Sequence, residues 1–571
     1  MLRKGFTVTK PVARARLATT ALGLHETRLN GERVGADVLA PGWTDYRKRL
    51  QYKVFDVTGK IRQGANALGA WLGNGWYSGS LGFAGSQYYG TRPWYSAQLW
   101  LTYTDGTTSV VTTDGSWRTA ASPIRADDLY HGETYDARSA VPNWDGAGFD
   151  DGSWSAAVVR TEQAPTMVSQ VDDGVTVQQE LHPVAITQPK PGVWVFDLGQ
   201  NFSGWNRLAV RGPAGTTVTM RHAEVLNPDG TIYTDNLRSA QATDRYTLAG
   251  TGGVETYEPR FTVHGYRYVE VTGLPPGTTP TADTITGRAA WASGGQPGTL
   301  TTSNALVNQV QHNILWGTRS NMLSIPTDCP QRDERLGWTG DIGIFAATST
   351  FNLATHDFLD KFSDDLTDAQ RSDGAFTDVA PAVIDGAGRA GWGDAGVIVP
   401  YTVWQRYGDT VVIDEHFAAM ARWVDYLRAT SGADLIRDQW TYGDWLNVSD
   451  DTALDLISTA FFAHSARLVS RMAAATGRNA EASTYGQLAD HGHVDTAYQI
   501  LLQPDFPGWG YMVNRGATTI WERWDGIEPD GSFNKPEMNS FNHYGLGSVG
   551  DFLYRRVGGL GPASPGYGSL L

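Results

Sequence analysis

Apolar and polar residues alternate through the first half of the chain and recur at helical spacing through the second. Up to about residue 290, runs such as QLWLTYTDGTTSVVTTD (98–114), TTVTMRHAEV (216–225) and YRYVEVTGL (266–274) place apolar side chains on one face of an extended backbone. Asp105-Gly106 in the first run is a hairpin turn, and LNGE, NGW, NPDG and PPG punctuate the rest. The opening stretch MLRKGFTVTKPVARARLATTALGL is basic and has no continuous apolar segment, so it predicts a strand rather than a signal peptide. A break rich in Gly, Asp and Trp falls at about 140–165. The pattern therefore predicts two all-β sandwich domains, a jelly-roll-like one over 1–150 and a second over 165–295.

From about residue 300 the period becomes 3.6. ALVNQVQHNILWGTRSNM (305–322), IGIFAATSTFNL (342–353), HDFLDKFSDDLTDAQ (356–370), HFAAMARWVDYLRA (416–429) and ALDLISTAFFAHSARLVSRMAAAT (453–476) each predict an amphipathic helix. Loops carrying Gly, Asp and Trp join them: SDGAFTDVAP, RAGWGDAG and DQWTYGDWLN. The expectation is an all-α domain of helical hairpins over 300–560. Such hairpins can close into an α/α toroid whose loops line a cleft.

Composition narrows the chemistry. The chain of 571 residues has room for three or four domains with sizeable cores. It has no apolar run of membrane-spanning length. Its single cysteine, Cys329, excludes an intramolecular disulfide framework and a cysteine zinc site. A net charge of −15 argues against nucleic acid or an acidic membrane as partner, and a neutral ligand fits better. The 21 Trp and 24 Tyr suit the C–H faces of sugars, and equally the filling of β-sandwich cores.

Residues 328–341, DCPQRDERLGWTGD, crowd six charges into fourteen positions of a chain that is only 18% charged. Pro330 excludes helix at Cys329, so Asp328 belongs to a loop. A helix then starts between Glu334 and Asp341. Glu334, Trp338 and Asp341 are spaced i, i+4, i+7 and share one face if that segment is helical. Gly337 and Gly340 leave room for a close approach to the backbone. Arg332 and Arg335 offer planar forks that hold carboxylates or hydroxyls. A solvated helix N-terminus would also collect acids, but it gains nothing from a Trp, two Gly and a Pro together. Carboxylates beside Trp suit glycosidic bond cleavage, where one acid protonates the departing oxygen and a second carboxylate activates water or attacks. Asp333 competes with Glu334 for the first role. A second acidic aromatic cluster, GATTIWERWDG (516–526), offers Glu522, which could equally be an exposed loop residue. In NSFNHYGLGSVGDFLYR (539–555), His543 beside Tyr544 is by itself a packing residue.

DCPQRDERLGWTGD resembles the signature of bacterial α-L-rhamnosidases of glycoside hydrolase family 78. TTIWERWDG and NSFNHYGLGSVGDFLYR resemble two further blocks of that family. LHETRLNGERVGADVLAPGWTDYRKRLQY and FDLGQNFSGWNRL resemble its β-domains. The resemblance implies an (α/α)6 toroid that removes terminal α-linked L-rhamnose with inversion. It implies Glu334 as general acid and Glu522 as general base. It matches Asp328, Arg332 and Asp341 to residues that hold sugar hydroxyls, and Trp338, Trp392, Trp445 and His543 to the pocket lining. It implies a rhamnose-containing glycoside as partner. The residues themselves offer no metal constellation, so no metal or other cofactor is expected.

Two departures from the family pattern stand out. About nine or ten helical patterns follow residue 300, where six hairpins need twelve. The shortfall is expected near 490, where NAEASTYGQLAD (479–490) runs directly into HGHVDTAYQILLQ (491–503). Both ends also look shortened, and the C-terminal β-domain usual in the family is not expected here. The competing readings are a glycan-binding protein with an inert helical domain, and another glycosidase or a polysaccharide lyase on a similar toroid. Cytoplasmic placement is expected, with secretion the alternative if a leader is removed. Oligomeric state is not legible.

Overall fold

The computed structural model describes residues 1–292, 294–447, 452–486 and 506–569. The chain forms two compact units: Met1–Gln170 with Gly174–Gly199 and Ser203–Trp291, and Ala292–Leu571 with Val171–Asp173 and Gln200–Phe202.

The first unit is built from sheets, as the alternation predicts. A six-stranded sheet contains Leu2–Val8, Gly64–Gly73 and Leu24–Leu29 as antiparallel neighbours. A five-stranded sheet is centred on Val12–Leu22, flanked by Arg49–Asp56 and Trp94–Tyr103. Val8, Leu29 and Leu68 of the first sheet join Ala15, Leu17, Leu99 and Leu101 of the second in one buried cluster, which makes the pair a sandwich. The Asp105-Gly106 turn joins Trp94–Tyr103 to Thr108–Thr112.

A ten-stranded sheet follows, and its central strand Val193–Val210 pairs with Ile285–Ala292. Strand pairing crosses the boundaries expected at 150 and 165. The hairpin Ile124–Asp128/Gly132–Asp136 lies in the ten-stranded sheet, with Thr134 in parallel register with Arg245. In return, Thr166–Ser169 pairs parallel to Arg49–Asp56 in the first sandwich. Parallel pairing needs long connections, so local turn signals could not reveal either exchange.

The second unit is helical. Its longer helices among the described residues are α1 (Ala305–Asn321), α2 (Thr339–Asn352), α3 (His356–Ala369), α4 (Ala395–Tyr407), α5 (Val411–Ala429), α6 (Leu454–Ala475) and α7 (Asn479–Gly486). In α1 the Asn304 side chain accepts from the Leu306 and Val307 amides, and Val307, Val310 and Ile314 are buried along one face. Helices α1, α2, α3, α5 and α6 fall on the predicted windows. None of those windows covers α4, which contains Pro400. A proline inside a helix removes an intrahelical hydrogen bond. Here packing against α2, α3, α5 and α6, with Val397, Val399 and Val403 buried, overrides it. The expected shortfall of hairpins near 490 falls on 487–505 and lies outside the described residues.

Candidate active site

The charged stretch 328–341 is a loop folded on itself and then capped by α2. The Asp328 amide donates to the Leu336 carbonyl at 3.0 Å, and the Leu336 amide donates back to Asp328 Oδ1 at 2.8 Å. Arg335 sits at φ +53° and braces the loop from inside. Its Nε and Nη2 donate to the carbonyls of Arg332 and Gln331, each at 3.0 Å. Helix α2 begins only at Thr339, with Trp338 as its cap residue. The expected shared helical face of Glu334, Trp338 and Asp341 is therefore not what joins them, because Glu334 lies in the loop. A direct hydrogen bond does so, Trp338 Nε1 donating to Glu334 Oε1 at 2.9 Å.

The two glycines are spaces for neighbours. A Cβ at Gly337 would lie 2.2 Å from the Ala380 carbonyl oxygen, and one at Gly340 would lie 2.5 Å from the Trp392 ring. What approaches the backbone at Gly340 is thus an indole, which draws Trp392 against the start of α2.

Arg332 is the centre of the site and is 1% exposed. Its Nε donates to Glu334 Oε2 at 2.8 Å. Its Nη1 and Nη2 donate to the two oxygens of Glu522 at 2.6 and 2.9 Å. Asp328 stands 3.5 Å from Nη2. Glu522 is carried by a segment bonded to 540–543: its amide donates to the Ser540 carbonyl, and the His543 amide donates to the Ile520 carbonyl. The Ser540 amide also donates to Glu522 Oε2 at 2.9 Å. His543 Nε2 reaches Asp341 Oδ1 at 3.5 Å.

These contacts separate the acids. Burial pushes the Glu522 carboxyl up, but the charge and hydrogen bonds of Arg332 outweigh it and hold the group down at about 2. Burial, then the nearby Glu334 charge, push Asp328 well above the usual carboxylate range. Burial also raises Asp341, against the pull of His543. One guanidinium faces three carboxyl groups, and it favours the charged form of Glu522, which it holds through two hydrogen bonds, over that of Asp328, which stands 3.5 Å away. Environments that push neighbouring carboxyls apart are what acid–base chemistry requires.

The structure brings together Asp328, Arg332, Glu334, Trp338, Asp341, Glu522 and His543. Asp333 is less buried than Glu334. Trp392 and Trp445 join through a residue the sequence analysis did not single out, Tyr442. Its ring centroid lies 6.0 Å from Trp338, 4.6 Å from Trp392 and 5.7 Å from Trp445. The aromatic density of DQWTYGDWLN was its only signal. Trp445 itself is 52% exposed, so it edges the site more than it lines a pocket.

Three groups of side chains have cation-ligand spacing among the described residues: Asp328/Cys329/Glu334, His222/Asp244/His264 and Asp360/Glu415/His416. In the first, Arg332 already supplies the positive charge, and burial pushes the Cys329 thiol well up, away from the thiolate a metal needs. In the second, the His222 ring nitrogens bond the Ala242 carbonyl and Asn206, each at 2.8 Å.

Three family models match the chain in order along its length. The bacterial alpha-L-rhamnosidase 6 hairpin glycosidase domain matches residues 295–491 and 486–557. The alpha-L-rhamnosidase N-terminal domain matches 10–181, and the bacterial alpha-L-rhamnosidase concanavalin-like domain matches 187–290. An alpha-L-rhamnosidase of Formosa agariphila is 36% identical over 99% of this chain and 70% of its own length. The chain belongs to the bacterial alpha-L-rhamnosidase family. An alpha-L-rhamnosidase of Streptomyces avermitilis is 48% identical over 98% of this chain, which spans 61% of that relative's length. A crystal structure of a Streptomyces avermitilis alpha-L-rhamnosidase complexed with L-rhamnose superimposes with a TM-score of 0.96 at 48% identity, covering 99% of this chain and 62% of that one. Family membership and the order of β-domains before a helical domain stand as the sequence resemblance implied. No helix of the described residues is long and apolar enough to cross a membrane.

Proposed function

We propose that this member of the rhamnosidase family hydrolyses terminal α-L-rhamnosides with inversion, Glu334 acting as general acid and Glu522 as general base. The observation that carries the reading is Arg332, which holds both carboxylates on different edges of one planar fork. Glu522 Oε2 accepts from Arg332 and from the Ser540 amide, while Oε1 has one partner, Arg332, among the described residues. An ionised carboxylate oxygen accepts two hydrogen bonds, so Oε1 is the atom that takes the proton from water. That water's oxygen bonds the anomeric carbon as the glycosidic bond breaks, and Glu334 passes its proton to the departing oxygen. In this reading Asp341 holds a sugar hydroxyl and His543, 3.5 Å from it, lines the pocket. The indole of Trp338 suits the methyl of L-rhamnose, where no donor or acceptor is stranded.

Hydrolysis of a chromogenic α-L-rhamnoside tests the assignment. Glu334→Gln and Glu522→Gln should each lower kcat by about 10²–10⁴-fold, and proton NMR should show β-rhamnose appearing before mutarotation. Full activity in either variant, or α-rhamnose as first product, would overturn it.

A second reading has its own support. The helical-domain family matches in two pieces that meet at 486–491, and the alignment with the Streptomyces avermitilis relative runs over 631 positions, more than this chain contains. Both observations support a reading in which a stretch of the family's helical domain is missing between Glu334 and Glu522. If the interval disturbs their spacing, a rhamnose-binding protein with little turnover results, since about 1 Å of misplacement can cost on the order of 100-fold in rate. Rhamnose binding by calorimetry without release of the chromophore would decide for it.

A further inference from the structure

A line of aromatic rings leads from Glu334 to solvent. Trp338, bonded to Glu334, meets the ring of Tyr442 edge-on, and Tyr442 meets Trp440 at 5.0 Å and Trp445 at 5.7 Å. Trp338 and Tyr442 are half-buried, whereas Trp440 is 59% exposed and Trp445 52%. Scattered exposed apolar residues are ordinary. Two exposed indoles on either side of one tyrosine, continuous with a buried carboxylate, are not.

The outer rings are also held in place. Arg389 lies under both Trp440 and Tyr442, its Cζ 4.7 and 4.8 Å from their centroids. Its Nη1 donates to Tyr442 Oη at 3.0 Å and pairs with Asp378, whose carboxylate is fully buried. Tyr442 Oη donates to Asp378 Oδ2 at 3.0 Å. The loop is pinned again where Thr441 Oγ1 donates to the Ala390 carbonyl at 2.7 Å. A guanidinium that already has a carboxylate partner also backs the largely exposed Trp440 ring.

We propose that Trp440 and Trp445, with Tyr442 between them, are the platform for the leaving group of the substrate, and that they select leaving groups with a flat apolar face. The inference rests on the assignment of Glu334 as acid. A general acid stands at the departing oxygen, so the exposed rings beyond Trp338 on its solvent side, Trp440 and Trp445, flank the aglycone, while Trp338 itself stays with the rhamnose. The matching chemistry is an aryl ring or the C–H face of a pyranose, because either stacks on indole.

The test compares three α-L-rhamnosides that differ only in leaving group: methyl, a planar aryl group and glucosyl. For each, kcat/KM of Trp440→Ala is divided by that of the wild type, which cancels the intrinsic reactivity of the leaving group. The quotient should be about tenfold lower for a ringed aglycone than for methyl, the rate equivalent of one aromatic pair. The loss should lie in KM, and Trp440→Phe should recover most of it. A fall confined to the aryl substrate names an aryl ligand, and one confined to the glucosyl substrate names a sugar. Equal quotients for all three would overturn the platform. If the wild type hydrolyses none of them, the activity reading fails by itself. Quenching of tryptophan fluorescence by the free aryl alcohol or by methyl glucoside, lost in Trp440→Ala, then still supports the platform, and unchanged quenching overturns it.

Discussion

Each unit buries a cluster of titratable side chains, each with an unspent polar atom (His264 Nδ1 in the β-unit), and the two clusters differ in what stands open beside it. In the β-unit His222, Asp244 and His264 are fully buried, with the imidazoles stacked 4.2 Å apart. Both His222 nitrogens are bonded, and Tyr266 donates to the Asn206 that meets His222. Asp244 accepts from the Glu133 amide at 2.8 Å and from His264 at 3.2 Å. Burial, then the neighbouring His264, hold His222 down at about 3. In the helical unit Arg332 faces three carboxylates, one oxygen of Glu522 keeps acceptor capacity, and a half-buried indole stands at Glu334. Buried charge alone does not mark a site. Unspent lone pairs beside open aromatic surface do, and the contrast can be pressed from both sides.

The largest effect is expected at Arg332. Arg332→Gln leaves Glu334 and Glu522 buried without their cation, which should cost about 3–5 kcal/mol of stability and most of the activity. Its pH signature is sharper than its size. Glu522 sits below its ordinary 4.5 in the folded state, at about 2. Its ionisation therefore stabilises the wild type above pH 4.5, and that contribution fades as pH falls towards 2. Without Arg332, burial is opposed only by the His543 charge and the Ser540 amide, so the carboxyl should rise. The acid limb of kcat/KM should move from below the assay range into it. An acid limb that stays put would mean that Glu522 is not the base.

His222→Ala presses the other side. It removes two buried hydrogen bonds and a ring stack, so urea denaturation should show a loss of about 2–4 kcal/mol. Hydrolysis per folded molecule should not change. A specific loss of activity at unchanged stability would give this cluster a role the geometry does not support.

The same contrast explains what the sequence could tell. The change of period near residue 300 made the two kinds of unit legible, because one hydrophobic face per element is a local property. The strand exchange of 124–136 and 166–169 was hidden, since parallel partners lie far apart in the chain. Helix α4 was hidden by Pro400, whose local cost is met by burial on four neighbouring helices. In the site, Arg332 and Glu522 stand 190 positions apart, and no spacing rule reaches that far. Acidic and aromatic clustering singled out Glu522 and His543, and the resemblance to the family gave them roles and supplied Trp392 and Trp445. Tyr442 lay between two quoted tryptophans and went unremarked because its role is to join rings from separate loops. The i, i+4 spacing did pair Glu334 with Trp338, but through a hydrogen bond across a loop and not a helical face.

That bond carries the smallest prediction and the most direct one. Trp338→Phe keeps a ring against Tyr442 and removes only the N–H that reaches Glu334 Oε1 at 2.9 Å. A hydrogen bond contributes up to about 1.5 kcal/mol net, or about tenfold in rate if it positions the acid. The loss should depend on the leaving group. Methyl α-L-rhamnoside needs its departing oxygen protonated, so it should lose about tenfold. Rhamnosyl fluoride departs as a weak base with little help and should lose less than about twofold. Glu522→Gln must slow both substrates, because water attacks in either case. Equal losses on the two substrates in Trp338→Phe would show that the indole serves only to pack. A loss confined to the methyl glycoside would place the bond on the acid's side of the reaction, as the buried charge around Arg332 requires.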